Sequence, residues 1–391
     1  MDQQQKSQQM EKGRIPKLLA QLAVPAVVAQ LVNLLYNIVD RIYIGHMAEV
    51  GATALTGVGL FMPILMLINA FAMLAGAGGA PLAAIRMGRK EHDFAEKILG
   101  NCFTVLMIFA VALTVIFYVT APTLLQMFGA SQVTLPYALS YSRIYILGSV
   151  FVLVVMGMNP FITTQGFAKI SMMTTLIGAV IKIILDPIFI FVLGLGVRGA
   201  ALATVLSQMV GAVWILHFLT GKKTILKLKP SCLRLEGPVI LPCLGLGVST
   251  FVMLSTESLL SITFTASLAR YGGDLAVGAM TIITSVSQLV MLPLQGVCQG
   301  GQPIISYNYG AKRPGRVRKA GLTMGALILG YTAVMWSIIL LAPHMLINIF
   351  SSDTSLMENA VSALKIYFAA FIFMDLQYIG PVSYTHLTLP T

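Results

Sequence analysis

"GGAPLAAIRMGRK" at residues 78–90 and "GGQPIISYNYGAK" at 300–312 decide how this chain is built. Laid over each other, they match Gly78 with Gly300, Gly79 with Gly301, Pro81 with Pro303, Gly88 with Gly310 and Lys90 with Lys312. The same offset of 222 positions sets "RIYILG" (143–148) over "KIYFAA" (365–370), Ala54 over Ala276 and Lys97 over Lys319, without a gap. One such match between two apolar sequences means little. A constant offset across several segments is an internal repeat.

What repeats is membrane. The 391 residues are 57% hydrophobic and 10% charged, against roughly 25% charged in a soluble domain. Apolar runs of about 20 residues recur along the chain, each long enough to cross a hydrocarbon core about 30 Å thick. Ten spans are expected near 17–40, 53–80, 98–120, 138–164, 171–193, 198–219, 239–264, 275–303, 320–341 and 360–380. The repeat unit holds six spans, an even number, so both halves enter the membrane in the same orientation. The expected fold is therefore an all-α polytopic membrane protein: two six-helix bundles related by a pseudo-two-fold along the membrane normal, with substrate handled between them. Two full repeats exceed the 391 residues present, so the second bundle is incomplete.

The expected organisation follows. Residues 1–16 form a cytoplasmic tail, 17–220 the N-terminal six-helix lobe, 221–238 a basic cytoplasmic linker, and 239–380 the first four helices of the C-terminal lobe. The ending "PVSYTHLTLPT" (381–391) does not follow the repeat and is set aside as a non-native tail.

A net charge of +11 invites a nucleic-acid reading, but its distribution speaks against one. Of the 25 Lys and Arg, 19 fall in the N-terminus and in the loops after spans two, four, six and eight. Only Arg41, Arg198 and Arg270 fall in loops on the other side. By the positive-inside rule the N-terminus is cytoplasmic, in a bacterial plasma (inner) membrane crossed many times. The basic charge serves topology, and no nucleic-acid partner is expected. Cys102, Cys232, Cys243 and Cys298 show no C-x-x-C spacing and read as packing residues.

Acidic residues inside spans are costly and face a cavity or a partner. Four fall there: Asp40, Asp186, Glu257 and Asp375. In span one, Gln30, Asn33, Asn37 and Asp40 are spaced i, i+3, i+7 and i+10, within about 80° of one helix face. Such a stripe is either cavity lining or glue between helices; ending in a carboxylate, it reads as lining. In span five, Lys182 and Asp186 share a face at i and i+4. Pro187 behind them has no N–H, so the Ile183 carbonyl loses its usual partner and the helix is broken beside a carboxylate. By depth along their spans, Asp40, Asp186 and Thr204 all lie in the outer half of the bilayer. In the second lobe, Glu257 shares a face with Thr250 and Ser261, and Gln288, Gln295, Gln299 and Gln302 form a further stripe in span eight.

The motifs "LDPIFIF", "GVRGAALATVLSQ", "PFITTQGFAKISM" and "GGQPIISYNYGAKRPGRVRKA" resemble the multidrug and toxic compound extrusion (MATE) family, in its DinF/MepA-like bacterial branch. The likeness runs from about Lys17 to Gly380. It implies a two-lobed antiporter, a monomer in the bilayer, that exports lipophilic, often cationic xenobiotics by alternating access. Proton or sodium gradients would drive it, with no cofactor. The resemblance also implies a first-lobe cation site made by an Asp in span one, Asn and Asp four apart in span five, and a Thr in span six. Asp40, Asp186 and Thr204 match; Lys182 stands in place of the Asn. An ammonium cannot ligate sodium, so the departure favours proton coupling. Glu257 and Asp375 correspond to second-lobe carboxylates of the family. The alternative within the same superfamily is a flippase for a lipid-linked or polysaccharide precursor. An enzyme is not expected, since the five His residues are scattered and neither H-E-x-x-H nor G-x-S-x-G occurs.

Overall fold

The computed structural model describes residues 3–47, 51–347 and 354–369, and the described elements are helical. In chain order they are α1 (Gln3–Lys12), α2 (Ile15–Gly45), α3 (Gly51–Gly59), α4 (Met62–Gly88), α5 (His92–Met127), α6 (Leu135–Leu147), α7 (Ser149–Thr164), α8 (Ala168–Pro187), α9 (Val197–Thr220), α10 (Gly237–Gly310), α11 (Pro314–Leu341), α12 (Pro343–Ile347) and α13 (Thr354–Tyr367). Among the described residues, seven helices are long and apolar enough to cross a membrane, and a bent pair brings the total to eight. Val111, Val115 and Val119, one stripe of α5, are left uncovered by protein, as a lipid-facing surface is. Asp375 and the tail at 381–391 lie outside the described residues.

Four spans depart from expectation. The fourth is two helices, α6 and α7, meeting at 56°. Gly148 stands at the corner, where a Cβ would run into the side chain of Val205. The second span breaks at Leu60–Phe61 ahead of Pro63, and α4 continues to Gly88 rather than ending near residue 80.

Spans seven and eight, expected as separate helices, form one helical run of 74 residues. Straight, it would measure about 110 Å at 1.5 Å per residue. Its neighbours show that it folds back. Near its start, Cys243 meets Gly78 and Gly247 meets Leu74, antiparallel to α4. Near its end, Gly296 meets Val27 and Gly300 meets Ala23, antiparallel to α2. Since α4 and α2 cross in opposite directions, the run leaves one side of the membrane and returns to the same side.

The 222-residue register reappears as geometry. A Cβ on Gly88 would strike the Tyr307 carbonyl oxygen; one on Gly310 would strike the carbonyl of Ile85, the position equivalent to Tyr307. Gly79 packs on Cys102 and Gly301 on its equivalent, Met324. Lys90 and Lys312 both take the left-handed conformation, at φ 65° and 56°. Each closes its helix the same way, with Glu91 N donating to Arg86 O at 2.9 Å and Arg313 N to Asn308 O at 3.0 Å. Glycine pairs at the seam let backbones touch, the usual device of helix packing in lipid, where apolar area alone gives no preference for a neighbouring helix over a tail.

The segment expected as a plain basic linker is fastened down. Gln165 Oε1 accepts from Thr224 Oγ1 at 2.8 Å, Ile225 N at 2.7 Å and Leu226 N at 2.9 Å. Glu96 accepts from Lys227 N at 3.0 Å and pairs with Lys229. That carboxylate holds the Lys229 pKa above the ordinary lysine range.

Candidate functional site in the first lobe

Lys182 projects from α8 into the space between α2, α8 and α9. Its Nζ donates to Thr204 Oγ1 at 2.7 Å, Asp40 Oδ1 at 2.8 Å and Asp186 Oδ1 at 3.3 Å. Three acceptors use all three N–H bonds of an ammonium. Thr204 Oγ1 donates in turn to the Ala200 carbonyl at 2.9 Å, which fixes which lone pair faces Lys182.

Burial makes the cluster electrostatically tight. Asp40 is 9% exposed, Lys182 3%, Asp186 1% and Thr204 8%. At such depth an unpaired charge costs several kcal/mol, so three formal charges persist only by contacting one another. The count does not cancel: one ammonium faces two carboxylates. Asp186 Oδ2 is buried and accepts no hydrogen bond. It is a buried basic atom of the cluster that can take a proton.

Local sequence explains the placement. The i, i+4 spacing puts Lys182 and Asp186 on one face of α8. Pro187 follows, and the chain widens into a π-turn over Ile188–Val192, with Leu193 N donating to Ile188 O at 2.8 Å. Gly194 at φ 63° and Gly196 at φ 54° then reverse the chain into α9, which brings Thr204 back alongside.

Asp40, Lys182 and Thr204 line a cavity of about 310 Å³, and Asp186 is not among its lining residues. Asn33, Asn37 and Asp40 line it from α2, Lys182 from α8 and Thr204 from α9. Asn37 Nδ2 donates to the Asn33 carbonyl at 2.7 Å, so these amides satisfy their own helix and do not tie it to a neighbour. Gln30 does not line this cavity; it lies one turn nearer the N-terminal end of α2 than Asn33. Glu257, Gln288 and Gln295 sit exposed on α10 and do not reach it either, since they belong to the other lobe.

Several lining residues carry no charge and were not singled out by the sequence. Tyr36, Tyr141 and Tyr145 form an aromatic wall, with Tyr141 and Tyr145 stacked at 6.0 Å and Phe61 edge-on to both. Asn69 and Gln208 add amides. The usable signals were a lone amide in the second span and Gln208 one turn beyond Thr204. The tyrosines gave none, because aromatic residues are common in any membrane core.

A repeat-built, all-helical chain with membrane-length spans and a charged cluster within one lobe belongs to the transporter class of polytopic membrane proteins. A sequence profile of the MatE family matches residues 25–188 and 249–380, and the chain belongs to that family. Multidrug export protein MepA of Staphylococcus saprophyticus is 25% identical over 358 residues, covering 91% of this chain and 78% of that protein. A MATE crystal structure in the bent conformation superposes with a TM-score of 0.89 at 22% identity, over 97% of this chain and 84% of its own. An outward-facing multidrug resistance MATE transporter does so with 0.86 at 23%, over 97% and 86%. The two structural likenesses, at 23% and 22% identity, are likenesses of fold.

Proposed function

We propose that this chain is a multidrug efflux antiporter that exports lipophilic, often cationic compounds by alternating access, coupled to protons rather than sodium. Similarity to multidrug export proteins supports the substrate class. The observation that carries the coupling reading is the position of Lys182 Nζ, hydrogen-bonded to Asp40, Asp186 and Thr204 at once. A metal cation would need those same oxygens. With the ammonium already on them, the remaining freedom is a proton on the second carboxylate, at the unpartnered Asp186 Oδ2.

In this reading protonation and substrate binding exclude each other. A proton neutralises the extra carboxylate and leaves one ion pair, while a cationic compound takes the proton's place in the charge balance. The aromatic wall of Tyr36, Tyr141 and Tyr145 suits a flat or quaternary cation, through the negative faces of its rings. The protein acts alone in a bacterial plasma membrane, N-terminus inside. A flippase for an anionic lipid-linked precursor is the weaker reading, since acids outnumber bases in this cluster.

The test is transport in proteoliposomes under an imposed pH gradient and, separately, an imposed sodium gradient. Efflux of a cationic dye driven by the pH gradient alone supports the proposal. Efflux driven by sodium alone overturns the proton assignment.

A further inference from the structure

The short segment leading into each lobe crosses over and docks on the other lobe. Ahead of span one, Met10–Gly13 lies on the end of α10 and the start of α11. Asn308 Nδ2 donates to the Met10 carbonyl at 3.4 Å, Arg313 Nη1 to the Glu11 carbonyl at 2.9 Å and Arg316 Nη2 to the Gly13 carbonyl at 2.9 Å. The Arg313 guanidinium also pairs with the Glu11 carboxylate.

Ahead of span seven, residues 232–236 lie on α5 of the first lobe. Asn101 Nδ2 donates to the Arg234 carbonyl at 3.1 Å, its Oδ1 accepts from Glu236 N at 2.7 Å, and Thr104 Oγ1 donates to the Leu233 carbonyl at 2.7 Å. Lys97 pairs with Glu236 at 3.0 Å. Both docks therefore grip backbone groups where a chain enters the membrane.

Directly between them the lobes touch backbone to backbone. Gly88 and Gly310 abut at the cytoplasmic ends of α4 and α10. The seam continues inward through Gly78 with Cys243, and Gly300 with Ala23. The cavity at Asp40 lies toward the outer half. The molecule is thus shut on its cytoplasmic side and holds its cavity beyond the seal.

From this geometry we infer that the two crossing leaders are a paired cytoplasmic lock, and that their release opens the Gly88–Gly310 seam to admit substrate from inside. The inference rests on the transport reading above. Moving the lobes apart at the seam displaces each leader relative to the lobe it grips, because each is covalently joined to the opposite lobe. Both sets of hydrogen bonds must therefore yield before the seam parts. The ion pairs of both docks are part-exposed, so solvent can take over their bonds, while the buried Asn101 and Asn308 are wetted only as the seam parts, which keeps the step reversible.

The experiment reads seam opening without any transported substrate, so its outcome is separable from that of the efflux reading. In the full chain with its four native cysteines replaced by serine, Ala23→Cys places a thiol in the seam. Ala23 is 5% exposed and lies against Gly300. Inside-out membrane vesicles are treated with a membrane-impermeant maleimide. Labelling should be slow in that background and about tenfold faster after Arg313→Glu. It should return to the slow rate when Glu11→Arg is added to restore the ion pair with reversed sign. Equal labelling in all three chains would overturn the lock. Asn101→Leu, which releases the other leader, gives an independent reading with the same expectation.

Discussion

Lys182 Nζ lies 2.8 Å from Asp40 Oδ1 and joins α8 to α2 across 142 positions of sequence. Truncating that side chain to alanine leaves Asp40 and Asp186 facing each other in a buried space. Removing one partner of a buried ion pair costs about 3–5 kcal/mol. Lys182→Ala should therefore lower the thermal midpoint of the purified protein strongly. Lys182→Asn should be milder and should open the oxygens to a metal ion: sodium-driven efflux should appear in proteoliposomes. An unchanged proton response with no effect of sodium would count against the tethered-cation reading.

Neutralising a carboxylate should separate coupling from folding. Asp40→Asn and Asp186→Asn each keep size and hydrogen-bonding capacity while removing one negative charge. Either should abolish drug resistance in cells while the chain still reaches the membrane fraction. Between the two, Asp186→Asn should be the less stable, because it alters the more deeply buried member, at 1% exposure against 9%. Normal export by both variants would place the coupling site elsewhere.

Gln165 carries a structural load that no charge announces. Its single Oε1 receives Thr224 Oγ1, Ile225 N and Leu226 N. In Gln165→Leu the Ile225 and Leu226 N–H groups lose this acceptor, at about 1–3 kcal/mol for each left buried and unpaired, while Thr224 Oγ1 keeps the Leu226 carbonyl at 2.9 Å. A fall in thermal midpoint well beyond that of Thr224→Ala, which removes one donor, is the expected result. Equal effects would mean that the segment is held by Glu96 and Asn101 instead.

Repeat-related glycines should differ in tolerance. A Cβ on Gly79 would sit 2.5 Å from Cys102 Sγ and 2.8 Å from the Phe161 ring. On Gly301 it would meet the Met324 thioether, the far end of a flexible side chain. Gly79→Ala should cost about 1–3 kcal/mol of overpacking strain, and Gly301→Ala clearly less. Parallel melting of the two variants measures the difference.

Much of this molecule was determined by sequence alone. A helix in lipid satisfies its own backbone, so length and hydropathy identify spans before any tertiary contact is known. The offset of 222 names equivalent positions such as Gly88 and Gly310. Buried charges were legible for a similar reason: Asp40, Lys182 and Asp186 are too expensive in a membrane to be there without partners.

Tertiary structure alone decided which partners they found. No local rule places Lys182 Nζ on Asp40, because that contact depends on how α2 and α8 pack. The tyrosine wall, the corner at Gly148 and the unbroken helical run joining spans seven and eight stayed hidden for the same reason: uncharged groups and helix bends are cheap, so they leave little mark in composition. The crossing leaders were the least legible feature of all. Their hydrogen bonds end on backbone carbonyls, which every residue carries, and only the packed chain shows which ones are held.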